Sequence, residues 1–217
     1  MVDIPSNRQF DQLDAVNYVL GAIAVAPVNT LEQPNNRELA LAVNALYKED
    51  VLVQSEGWSW NTSFRNFAPD ITGRIQIPDN ILSASPAPHG VIGQVFYSVN
   101  SEVGVRLDGP NLYLYNNSTG DFVFPGPVSL IVRERVEFAS LPPAARVMIA
   151  AKAAKARNAA SLNDARVQNE QEASIMEARL ILEDIEDQYQ RRHNSLSNPV
   201  TLNIFGARRL RRTRGRY

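Results

Sequence analysis

The chain has 217 residues, 44% of them hydrophobic and 21% charged, with a net charge of −1 and no cysteine. That length suits one domain, or a domain carrying a large insertion. The missing cysteines exclude disulfides, cysteine-ligated zinc, thiol catalysis and thiolate iron–sulfur sites. No apolar run approaches the roughly 20 residues of a membrane span, and the polar residues 1–10 lack the apolar core of a secretory signal. A soluble protein without membrane contact is expected.

The balance of −1 conceals a gradient. Residues 206–217 hold Arg208, Arg209, Arg211, Arg212, Arg214 and Arg216 and no acid. Removing these six leaves 16 basic against 23 acidic residues, so residues 1–205 carry −7. An acidic body with a basic tip fits a tail made for another surface or for nucleic acid. A solvated, structureless tail is the plainer alternative.

A first helix is expected over about 11–24, with Leu13, Val16, Leu20 and Ile23 as its apolar stripe and Pro27 as its stop. A loop at 29–34 follows. Asn35 or Asn36 can then cap a second helix, with Leu39, Val43, Leu46 and either Leu52 or Val53 facing inward. Gly57 supplies the left-handed residue that closes many helices. From residue 58 to 138 glycine and proline are frequent and apolar runs are short. Strand candidates are 74–78, 91–99, 103–107, 112–115, 122–124 and 128–136, divided by turns such as Asp108-Gly109-Pro110-Asn111 and Pro125-Gly126-Pro127. They read as one small, mainly antiparallel sheet.

Residues 141–193 read as a helical hairpin around which the rest is placed. Leu141-Pro142-Pro143 suits a first turn, and nine alanines between 144 and 160 give near-maximal helix propensity. Ser161, three residues before Asp164, resembles a capping-box restart after a break near 158–163. The second helix carries Ile175, Ala178, Leu182, Ile185 and Tyr189 as one buried stripe. Its acids, among them Glu183, Asp184, Glu186 and Asp187, lie on the other faces. The expected architecture is α+β: a four-helix bundle of two hairpins (1–57 and 139–195), an inserted β-rich domain (58–138) and an extended basic tail (196–217). In that tail Val200, Leu202 and Ile204 alternate with other residues as in a strand.

The search for catalytic chemistry returns little. His89 and His193 are isolated, and no nucleophile elbow, P-loop or dinucleotide fingerprint is present. Glu102, Asp108 and Asp121 could in principle serve glycoside hydrolysis, but acids at turns and strand edges are common. Trp58 and Trp60 read first as anchors of a helix–sheet junction and second as a ligand platform. No cofactor or metal is called for, and the chain is read as non-enzymatic.

Three blocks carry a resemblance. The first is Leu13, Ala15-Val16-Asn17, Leu20 and Ile23, then Pro27-Val28-Asn29-Thr30-Leu31-Glu32. The second is Gln54-Ser55-Glu56-Gly57-Trp58-Ser59-Trp60-Asn61. The third runs from 128–136 into Leu141-Pro142, Ile149 and Lys152-Ala153. In this order they resemble the tail tubular protein A family, the head-to-tail adaptors of short-tailed bacteriophages, over roughly residues 11–193. The arginine-rich end has no counterpart in that pattern. The resemblance implies a virion structural protein, assembled in the host cytoplasm. It implies a homo-oligomeric ring, typically of twelve, between the portal protein and a tail nozzle of the tail tubular protein B kind, with genomic DNA passing through the hole. Two other classes stand beside it: a carbohydrate-binding or carbohydrate-active tail protein using the β-rich insert with Trp58 and Trp60, and a nucleic-acid-binding protein using the arginines. On the adaptor reading, Val200, Leu202, Ile204 and the six arginines are expected to dock on the portal. Gly57, Trp58 and Trp60 are expected to anchor the junction. Glu183, Asp184, Glu186 and Asp187 are expected to face the lumen or a neighbouring subunit.

Overall fold

A computed structural model describes residues 10–33, 35–86 and 103–193. The first helix, α1 (Gln12–Gly21), starts with a reciprocal cap: Asp11 accepts from the Asp14 N–H at 2.8 Å and Asp14 accepts from the Asp11 N–H at 3.3 Å. It ends before residue 24. Ala24 takes a left-handed φ of 57°, so a tight turn rather than Pro27 stops the helix. Asn17 pins the returning chain by donating to the Val28 carbonyl (2.9 Å) and accepting from its N–H (2.8 Å). Ile23 stays buried although it lies outside the helix.

Asn36, not Asn35, caps α2 (Arg37–Ser55), accepting from the Leu39 N–H at 3.0 Å. Leu39, Leu46 and Val53 are buried along one face, whereas Leu52 is half exposed. The long α3 (Pro143–Ser161) opens on proline, and α1, α2 and the final helix α4 (Ala165–His193) all pack against it. Its buried alanines, including Ala145, Ala150, Ala153 and Ala154, put little side-chain volume between neighbouring backbones, so the helices can approach closely. Buried Asn158 donates to the Ala22 carbonyl (2.8 Å) and accepts from the Asp164 N–H (3.1 Å), tying the turn after α3 to the end of α1.

The restart after that turn differs from expectation. Ser161 is the last residue of α3, and Asp164 accepts from the Arg166 N–H at 2.9 Å to open α4, with Asn163 left-handed between them. On α4 the buried positions are Gln171, Ala178 and Leu182, while Ile185 and Tyr189 are 40% and 45% exposed. The stripe is real, but it ends at Leu182. Beyond that point the described part of α4 has no residue in the core.

Between the helices lie two three-stranded antiparallel sheets where one was expected. The first has the order β1 (Thr62–Phe67), β6 (Val128–Glu134), β3 (Ile81–Pro86); the second has β2 (Gln76–Ile77), β5 (Asn111–Asn116), β4 (Val103–Asp108). β1 and β3 were not foreseen. Residues 122–124 form only an isolated bridge, Arg74 to Val123, and the candidate strand 91–99 lies outside the described residues. Alternate residues of β6 (Val128, Leu130, Val132) join Ile75, Ile77, Ile81, Leu114 and Phe124 in one core. A larger core belongs to the helices and also takes in Trp58, Phe138 and Leu141. The fold is α+β. No helix among the described residues is long and apolar enough to cross a membrane.

Candidate functional site

The densest set of buried polar side chains lies where α2 gives way to the strands. Asp50 and Gln54 occupy core positions four residues apart on α2, 2% and 0% exposed. Gln54 donates to Asp50 (2.8 Å) and to the Val136 carbonyl (2.9 Å), and accepts from the Val136 N–H (2.7 Å). The side chain thus pairs with residue 136 as a strand neighbour would. Arg135 completes the group: its Nε donates to Asp50 at 2.9 Å, and its guanidinium lies over the Tyr47 ring, 4.6 Å from the centroid.

Gly57 sits just beyond, with φ +85°. The left-handed backbone favours glycine, and a Cβ placed there would lie 2.2 Å from Arg133 Nε, so a larger residue would also have to displace that guanidinium. Arg133 uses that gap to donate to the Ser55 carbonyl at 2.8 Å, satisfying one of the open carbonyls at the end of α2. Asn61 closes the turn. It accepts from the Trp58 N–H (2.9 Å), donates to the Gln54 carbonyl (2.7 Å), and its own carbonyl accepts from the Glu134 N–H (2.8 Å). Trp58 is 7% exposed and its indole N–H donates to the Val53 carbonyl at 2.9 Å. It is an anchor and offers no open face to a ligand. Trp60 is half buried against the helical core, with its Nε1 enclosed and unpartnered among the described residues.

The two later helices reach the same place. Glu56 pairs with Lys152 of α3 (3.2 Å) and Arg179 of α4 (3.6 Å). Glu186 accepts from the Ser59 N–H at 2.9 Å. The four acids expected to share one face of α4 are therefore divided. Glu186 turns inward to the joint, Glu183 pairs with Arg179 (3.0 Å), which holds that guanidinium's pKa above its ordinary value, and Asp184 accepts from Gln188 (2.7 Å). Asp187 is exposed.

Elsewhere, Arg74 joins Asp108 across the turns of the second sheet and lies over Tyr113 (4.2 Å) and Phe122 (5.0 Å). Asp121 holds its own turn, accepting from the Thr119 hydroxyl and the Val123 N–H. These two acids are thus turn-builders, while Glu102 and His89 lie outside the described residues, as does the side chain of His193. No group of three or more potential metal ligands occurs among the described residues. Val200, Leu202, Ile204 and the six arginines of the tail also lie outside them. Asp50, Asn61, Arg133 and Arg135 were not singled out as site residues. The available signal was Asp50 and Gln54 at i, i+4 among the apolar core positions of α2.

At the joint, side chains satisfy backbone groups and tie the end of α2 to the strands. No curated protein matches the chain. Residues 13–192, which include every element from the body of α1 through nearly all of α4, match the tail tubular protein family, and the chain belongs to that family of phage tail structural proteins.

Proposed function

We infer that this tail protein is the head-to-tail adaptor. Copies, twelve in the usual arrangement of such adaptors, form a ring between the portal protein and the tail nozzle, and its hole is part of the channel through which the genome leaves. The chain acts structurally, within the virion tail, and assembles in the host cytoplasm. The observation that carries this reading is the agreement between the family match over residues 13–192 and the locked joint at 54–61. A ring subunit under the load of a packed genome needs a fixed angle between its helical and strand-rich parts. Buried, hydrogen-bonded polar groups specify such an angle better than apolar packing alone. The tail, residues 196–217, is assigned to the portal. Val200, Leu202 and Ile204 would add as a strand to an exposed sheet edge, and the arginines would reach carboxylates beyond it.

The test is to incubate the purified chain with portal-bearing heads lacking their tails and image the product by electron microscopy. A ring on the portal axis is expected. Heads that stay bare, or that carry the protein away from the portal vertex, would refute the adaptor role. Deleting residues 199–217 should leave the melting transition unchanged and abolish attachment, and normal attachment of the truncated chain would remove the tail's assigned role.

A further inference from the structure

Two outward helix faces carry opposite charge around apolar residues. On α4, Met176 and Leu180 are 58% and 67% exposed and Ile181 is 49% exposed. Glu177, Glu183 and Asp184, all exposed, surround them. Across α2, on the side away from its buried stripe, lie Leu41 and Leu52 (49% exposed) together with Arg37, Asn44 and Lys48. Arg37 and Lys48 have no ion-pair partner among the described residues; Glu32 and Glu38 line the open surface beside Arg37, so Lys48 at the middle of the face carries the unopposed charge. At its N-terminal half the face borders an open groove whose lining includes Leu31, Ala40 and Val43.

Resting on the ring reading above, we propose that the outward face of α4 in one copy packs against the outward face of α2 in the next. The charges decide the partner. An α4–α4 contact would set carboxylates against carboxylates, and an α2–α2 contact would set Lys48 and Arg37 against their own kind. Either like-charge arrangement is repulsive, whereas α4 on α2 is complementary in charge and apolar on both sides. The two helices both pack on α3, and each outward face lies across its helix from the stripe that meets the core. One copy can therefore offer both faces at once. A contact between two different faces of one chain repeats head to tail and closes into a ring when the rotation allows. The apolar residues supply the attraction, while the charges set the pairing.

The absence of cysteine makes the contact directly testable. Asn44→Cys on α2 and Leu180→Cys on α4 are prepared in separate full-length chains, mixed at high concentration and treated with a short bismaleimide. A crosslinked dimer is expected in the mixture and in neither variant alone, and a chain carrying both cysteines should give a ladder of oligomers. Adding Lys48→Glu to the α2 variant should lower the yield several-fold, and Glu177→Lys on the α4 variant should restore it. Crosslinking of either single variant to itself, or no crosslink in the mixture, overturns the contact. If rings still form on portal-bearing heads without it, only the choice of faces fails. If no rings form, the adaptor reading fails as well. Protection of Cys-substituted Leu180 in the monomer, relieved by deleting residues 199–217, would give the α4 face to the chain's own arginine-rich end and would likewise overturn the proposal.

Discussion

The helical and strand-rich regions hold themselves together in different ways. Around α3 the packing is apolar and close, with alanines such as Ala145, Ala150 and Ala153 fully buried. The second sheet buries Leu114, Ile75 and Ile77 but leans on polar turns and on Arg74 stacked over Tyr113 and Phe122. The joint at 54–61 belongs to neither style alone: Trp58 enters the helical core while Gln54 and Asn61 pair with backbone on the strand side. Where an apolar core meets a sheet end, open backbone groups are unavoidable, and side chains must satisfy them. The difference teaches that the two regions should respond unequally to the same kind of change.

The largest effect is expected where both styles coincide. Trp58→Ala removes a buried ring together with its indole hydrogen bond to the Val53 carbonyl, and should cost ~3–5 kcal/mol in chemical denaturation. An unchanged midpoint would mean that the helical core closes without the joint. Next comes the alanine packing. Ala153→Leu adds volume where helices are closest and should cost ~1–3 kcal/mol. If the variant is as stable as the parent, the helices are not held at fixed spacing. Gly57→Ala tests the joint from the strand side. The left-handed backbone costs ~1–2 kcal/mol, and Arg133 must also leave its place at the Ser55 carbonyl. In a double-mutant cycle, Arg133→Ala should therefore soften the penalty of Gly57→Ala. Strict additivity would show that the two residues do not share the space.

The smallest effect lies in the surface turns of the strand region. The Thr72 hydroxyl, then the Arg74 backbone N–H, hold the Asp70 carboxyl below its ordinary pKa. A lowered folded-state pKa adds stability above the ordinary carboxylate value and loses it as pH falls through the folded one. Asp70 is at the surface, so the effect on stability is slight and is read by NMR titration. Thr72→Val should raise the Asp70 midpoint toward the ordinary value. A midpoint indifferent to that change would remove the hydroxyl as the cause.

Much of this was legible in the sequence, for identifiable reasons. Helix ends with side-chain caps were readable because Asn36 and Gly57 act locally. The restart of α4 was misplaced because Ser161 and Asp164 both satisfy the local pattern, and only the fold, through Asn158 on the Asp164 N–H, decides between them. Strand β1 was hidden because it lies at a sheet edge with Arg65 and Asn66 exposed, so its apolar residues do not alternate cleanly. β3, with Ser83 and Ser85, has the same weakness. The joint was half visible. Gly57, Trp58 and Trp60 stood out by residue type, whereas Arg133 and Arg135 reach it from some 80 positions along the chain, a pairing that no local pattern carries.

One feature of α4 bears on how force moves through the molecule. The helix has 29 residues, roughly 43 Å at 1.5 Å each, yet its core contacts end at Leu182, leaving about 16 Å of helix beyond them. It is a lever, and the Glu186 hydrogen bond to Ser59 sits just past the fulcrum. A pull at its far tip acts about 16 Å beyond the last core contact. The torque arrives at Ser59, and through Arg179 at Glu56, which are the two residues flanking Gly57 and Trp58. A pull on α4 beyond Leu182 would therefore bear first on the hydrogen bond between the Glu186 carboxylate and the Ser59 amide, the contact that ties this overhanging length of helix to the joint.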